Sequence, residues 1–138
     1  MIQRIQSLWL LLASACAFAT FKFSFFSGTN AKGLASYKLT ATENLGLMIV
    51  TAIVAALALI NIFLFKKRTL QLRLCVLGIL LEALLIFLYY LEVKTFEKGA
   101  GTYSLTAILH AIIVFAFFLA ARGINKDAKL IKDSDRLR

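Results

Sequence analysis

Leu70-Gln71-Leu72-Arg73-Leu74-Cys75-Val76-Leu77-Gly78-Ile79-Leu80-Leu81-Glu82-Ala83-Leu84-Leu85-Ile86-Phe87-Leu88-Tyr89-Tyr90-Leu91 is the stretch that decides the fold. It is near-unbroken apolar sequence of about the 20 residues a helix needs to cross a hydrocarbon core. Inside lipid every backbone N–H and C=O must be satisfied within its own segment, so the run is a helix. It is too long and too continuous for a barrel strand. Its one acid, Glu82, sits near the middle.

Three further runs resemble it, at residues 5–26, 45–65 and 104–121. Lys66-Lys67-Arg68-Thr69 is all that separates the second run from the third, and so short a turn makes them antiparallel neighbours. Residues 27–44 and 92–103 are polar and glycine-bearing and read as loops. Thr40-Ala41-Thr42-Glu43 reads as a capping box before the second helix. The first run begins like a signal peptide: Arg4 supplies a positive start and Leu12-Ala13-Ser14-Ala15-Cys16 loosely follows a lipoprotein cleavage pattern. Its apolar character continues to Phe26, longer than a signal core, so we expect a retained helix. The expectation is an all-α polytopic membrane protein. Residues 1–121 form an antiparallel bundle of four transmembrane helices, and 122–138 a basic tail.

Composition agrees. Of 138 residues, 61% are hydrophobic and 17% charged, where a soluble domain carries about 25% charged residues. A soluble enzyme or a disordered segment of this composition is excluded. There is no proline to kink a helix. Sixteen Lys and Arg against seven Asp and Glu leave a net charge of +9. On one side of the four spans lie Arg4, Lys66, Lys67, Arg68, Arg73, Arg122, Lys126, Lys129, Lys132, Arg136 and Arg138. The other side has only Lys22, Lys32, Lys38, Lys94 and Lys98. The basic excess belongs in the cytoplasm, which puts both termini there. Trp9 falls near the inner boundary, and Tyr89, Tyr90 and Tyr103 near the outer one, as aromatic belts do.

Certain strings carry a family resemblance. The chain opens Met1-Ile2-Gln3-Arg4-Ile5-Gln6-Ser7 and turns at Ile62-Phe63-Leu64-Phe65-Lys66-Lys67-Arg68-Thr69-Leu70-Gln71-Leu72-Arg73-Leu74-Cys75. It closes Ala121-Arg122-Gly123-Ile124-Asn125-Lys126-Asp127, then Asp133-Ser134-Asp135-Arg136-Leu137-Arg138. This resembles the small Bacteroidota membrane proteins grouped as domain-of-unknown-function family 4293. The resemblance covers the whole chain and implies a four-helix inner-membrane protein. It brings no activity with it. Asp127-Ala128-Lys129 departs from the family tail, where an acid follows the Asp.

Glu82 and His110 are the candidate site. An ionisable group in mid-span faces a bundle interior and marks function by default. Cys75, Gly78, Glu82 and Tyr89 share one helix stripe, and Gly78 lets another helix approach. At about 1.5 Å per residue, Glu82 lies about 18 Å and His110 about 16 Å from the basic side. On antiparallel neighbours the two can meet and hydrogen-bond. The bland reading is a pair that only fixes helix register; the sharper one is proton or ion handling.

Other chemistry is poorly supplied. One histidine cannot ligate haem twice, and Cys16 and Cys75 lie at different depths, so neither metal nor cofactor is expected. No G-x-S-x-G, H-E-x-x-H or phosphate loop occurs, so we expect no enzyme. Thr51, Ala55 and Ala58 on helix two, and Ala13, Ala17 and Thr20 on helix one, are small-residue faces for packing or for another subunit. Phe18, Phe21, Phe25, Phe115 and Phe118 read as lipid-facing or core bulk. In the tail, Ile124, Ala128 and Ile131 suggest a short amphipathic helix. The basic residues beside them would contact anionic headgroups or a partner, and the interspersed acids argue against nucleic acid.

The functional expectation is an accessory, assembly or stabilising subunit of a larger membrane complex. The alternative is a small proton-coupled transporter or channel built on Glu82 and His110. A third is a lipid-binding or membrane-sensing protein acting through the tail.

Overall fold

A computed structural model describes residues 2–30, 33 and 37–138, apart from the side chains of 2–4, 30 and 97–100. Lys32 therefore lies outside the described residues, as do the side chains of Arg4 and Lys98. The elements run α1 (Ile2–Ala19), β1 (Phe26–Asn30), β2 (Tyr37–Leu39), α2 (Leu45–Phe63), α3 (Arg68–Val93), β3 (Phe96–Tyr103), a 3-10 turn (Leu105–Ala107) and α4 (Ile108–Arg136). The chain is mostly helical. Three helical stretches, Leu45–Phe63, Arg68–Val93 and Leu105–Arg136, are long and apolar enough to cross a membrane, and Ile5–Ala19 is a shorter apolar helix. Each helix packs on two others: α1 on α2 and α4, α3 on α2 and α4. Leu10, Val54, Ala58, Ile113 and Phe117 fill the space between them.

The all-α expectation is corrected at one end. The two segments read as loops supply a three-stranded antiparallel sheet of order β2-β1-β3. Phe26 pairs with Leu39 on one side and Tyr103 on the other. The strands hold Phe, Tyr and Thr, residues suited to a pleated, half-buried surface, and the helices bring both segments to the same end. Gly101 is required there, because a Cβ would run into the Phe26 ring. The sheet also shortens the first helix. It ends at Ala19 rather than Phe26, because Phe25 exchanges backbone bonds with Leu39 and Ser104.

The capping box is corrected too. Helix α2 is capped by Asn44, whose side chain accepts from the Gly46 N–H at 2.9 Å. Thr40 bonds Thr42 instead, and Glu43 accepts from the Tyr37 hydroxyl. The basic segment 122–138, expected as a tail able to form a short helix, is helical through Arg136. Helix α4 runs unbroken through Arg122 and Gly123 to Arg136, so the basic segment continues the fourth helix. Ile124 and Asp127 are buried in the body of the molecule, while Ala128 and Ile131 stay exposed.

Candidate functional site

Two groups of polar side chains lie inside the apolar body, one at mid-helix and one toward the basic end. In the first, the structure brings Glu82 of α3 and His110 of α4 together, with Nδ1 of His110 2.5 Å from Oε1 of Glu82. Glu82 is 0% exposed and His110 3%. The second oxygen, Oε2, has no hydrogen-bond partner among the described residues.

Rings close over this pair. Phe25 stacks on Tyr89 at 4.5 Å between centroids, and both contact the His110 imidazole, at 5.4 and 4.9 Å. Tyr89 is thus a core residue facing the pair, in place of the belt position its sequence suggested; Tyr90 and Tyr103 are exposed. The Phe25 and Tyr89 rings lie between the pair and the sheet. On the opposite side, one turn along α3, the Phe117 ring rests on Gly78. A Cβ at Gly78 would sit 2.8 Å from it.

Past Phe117, toward the basic end, the polar file resumes. Asn61 of α2 donates its amide to the Cys75 sulfur at 3.1 Å, and Gln71 donates to the Asn61 carbonyl at 3.1 Å. The Asn61 side-chain oxygen, like Glu82 Oε2, is buried without a partner among the described residues. Where the helices leave the apolar body, Gln6 donates to the Asp127 carboxylate at 3.2 Å. Arg68 reaches the Asp127 backbone carbonyl at 3.5 Å. Gly123 gives Gln6 the room to lie against α4.

Gln6, Gln71, Phe117 and Asp127 were not singled out from sequence. The available signal was polarity at i, i+4 and i+7 with apolar neighbours, as in Gln71, Cys75 and Gly78. Thr51, Ala55, Ala58, Ala13 and Ala17 are all buried, so their small-residue faces serve packing within the chain and leave none of themselves for a partner. Phe18, Phe115 and Phe118 are half-exposed and face outward.

Lys66, Lys67, Arg73, Arg122, Lys126, Lys129, Lys132, Arg136 and Arg138 are exposed, and Arg68 is half-buried. They rim shallow clefts. One of about 590 Å³ is lined by Phe65, Lys66, Arg68, Ala128 and Ile131. Another, of about 340 Å³, lies between Trp9 on α1 and Arg122 and Lys126 on α4. Neither cleft is lined by Glu82 or His110. Among the described residues, no three His, Cys, Asp or Glu side chains gather as a metal-holding group. Both cysteines are free and buried.

Tyr37 donates to Glu43 Oε2 at 2.5 Å, and its phenol is pushed up to about 12. The hydrogen bond is the largest cause, followed by burial and then the charges of Glu43 and Glu92.

The family described as Domain of unknown function (DUF4293) matches residues 2–137. No curated protein and no solved structure matches the chain.

Proposed function

The chain belongs to the DUF4293 family, and from that premise we propose that it is a non-enzymatic, four-span accessory subunit of a bacterial inner-membrane complex. In this reading α1 crosses alongside the three longer helices as the fourth member of an antiparallel bundle. Phe21, Phe23 and Phe25 extend its apolar reach beyond Ala19. The basic end faces the cytoplasm, because Lys and Arg collect there. Lys66, Lys67, Arg68, Arg73 and Arg122 then lie at the level of anionic headgroups.

One observation carries the subunit reading. Helix α4 is 29 residues long, about 43 Å, against a hydrocarbon core of about 30 Å. Its excess length is anchored to the bundle by the Gln6 and Arg68 contacts at Asp127. A rigid basic post leaving the membrane is suited to docking a partner with acidic groups. The test is affinity purification from native membranes in mild detergent, with the full chain and with residues 129–138 removed. A stoichiometric membrane partner that is lost on truncation, while the bundle stays monodisperse, is the expected result. The same solitary species from both, after crosslinking in intact membranes, would sink the reading. A reporter fused after Arg138 that faces outward would sink the orientation.

A second reading, proton handling at Glu82 and His110, is favoured by the Oε2 of a fully buried carboxyl that has no partner among the described residues. A transport or growth phenotype that survives Glu82→Gln untouched would end it.

A further inference from the structure

We propose that Glu82 is a proton-binding site loaded by water from the basic end only, with the Phe117 ring on Gly78 as the gate. The inference rests on the proton-handling reading and adds to it the side of access and the residue that closes it.

Two buried oxygens lack a donor among the described residues, Glu82 Oε2 and Asn61 Oδ1. Leaving such a group dry costs on the order of 1–3 kcal/mol, more for a charged one. Each can be satisfied by a water molecule, given room for one. Along α3, Gly78 with the Phe117 ring against it comes between the residues that hold the two oxygens, in a packed core that also includes Val54, Ala58 and Ile113. Asn61 bonds Cys75, three residues before Gly78, and Glu82 follows Gly78 by four. The Phe117 ring therefore sits along α3 between the polar group of Gln71, Asn61 and Cys75 and the carboxyl of Glu82.

The opposite approach differs. Between Glu82 and the sheet lie Leu85, Tyr89 and Phe25, packed and mostly aromatic. A proton arriving from the sheet end meets stacked rings. A proton arriving from the basic end meets amides and a thiol, then the Phe117 ring among aliphatic side chains. Among the described residues, the buried titratable side chains on the helices around Glu82 are His110 and Asp127 on α4, Cys75 and Tyr89 on α3, and Cys16 on α1; α2 has none. His110 occupies one carboxyl oxygen and leaves Oε2 to take the proton.

Two measurements on the full-length protein in mild detergent test this. The first is the infrared difference spectrum between high and low pH, in wild type and Glu82→Gln. A protonated-carboxyl band present in wild type and lost in the variant is expected. Its absence would overturn both the proton-handling reading and this inference. The second is labelling of Glu82 by a water-soluble carbodiimide, read by mass spectrometry. Phe117→Ala, with Phe117→Leu as the milder variant, should raise the labelling rate several-fold, and Asn61→Leu added to either should lower it again. Phe25→Ala should leave it near the wild-type rate. If the band is present but Phe25→Ala opens Glu82 and the Phe117 variants do not, the site stands and the route from the basic end is wrong. Variants are compared only where circular dichroism melts show a folded bundle.

Discussion

Glu82 and Asp127 are both buried carboxylates on the long helices, and the chain holds them differently. Glu82 lies in mid-helix and faces an imidazole, a partner that can itself carry charge. Asp127 lies where α4 leaves the bundle, is still 8% exposed, and accepts from the neutral amide of Gln6. Depth accounts for the difference. At the end of the bundle, water and nearby lysines soften the cost of a charge, and one amide suffices. In mid-span nothing softens it, so the acid needs a partner of complementary chemistry.

The largest break in this contrast should come from His110→Leu. Removing one partner of a buried pair strands the other, at about 3–5 kcal/mol. We expect a clear fall in the melting temperature in detergent, with recovery in the double variant Glu82→Leu/His110→Leu. No recovery would mean that the imidazole matters for packing against Phe25 and Tyr89 more than for the acid.

Gly78→Ala should come next. The new methyl would press on a Phe117 ring that is itself fully buried, and overpacking of this kind costs about 1–3 kcal/mol. Combining it with Phe117→Leu should return part of the loss in a thermal melt. Gln6→Ala is milder, about 1–2 kcal/mol, since Asp127 can turn toward solvent. Its sharper signature is faster proteolysis of the α4 extension, because the tie to α1 is gone. If cleavage after Lys126 and Lys129 stays at the wild-type rate, that tie does not hold the post.

The smallest effect lies outside the bundle, at Tyr37. Its phenol holds its proton more tightly when folded, at about 12 against about 10 unfolded. The stabilisation is therefore fully present below about pH 10 and is lost as pH rises through about 12. Tyr37→Phe should flatten the alkaline limb of a stability-versus-pH curve and leave neutral pH nearly unchanged.

The long apolar runs were legible in the sequence, and α2 and α3 begin and end within two residues of where hydropathy puts them. The Glu82–His110 contact was legible for a related reason. A helix has a fixed rise, so two residues at matching distances from one boundary reach the same level. The aromatic lid was not. Phe25 reaches the pair only because the chain leaves the helix at Ala19 and turns into a strand, a change that local composition does not announce.

What the sequence determined by itself is the set of apolar helices, the basic end and the odd acid in mid-span. Hydrophobicity, rise per residue and charge are additive along a chain and need no partner to be read. The tertiary structure decided the rest. Whether 27–44 and 92–103 pair as strands depends on the helices delivering them to the same end. Whether α4 is held against the bundle beyond its apolar run depends on Gln6 and Arg68 waiting for Asp127. Which face of Thr51, Ala55 and Ala58 turns inward depends on what lies opposite. Those are contacts between distant residues, and their free energy exists only once the chain has folded far enough to make them.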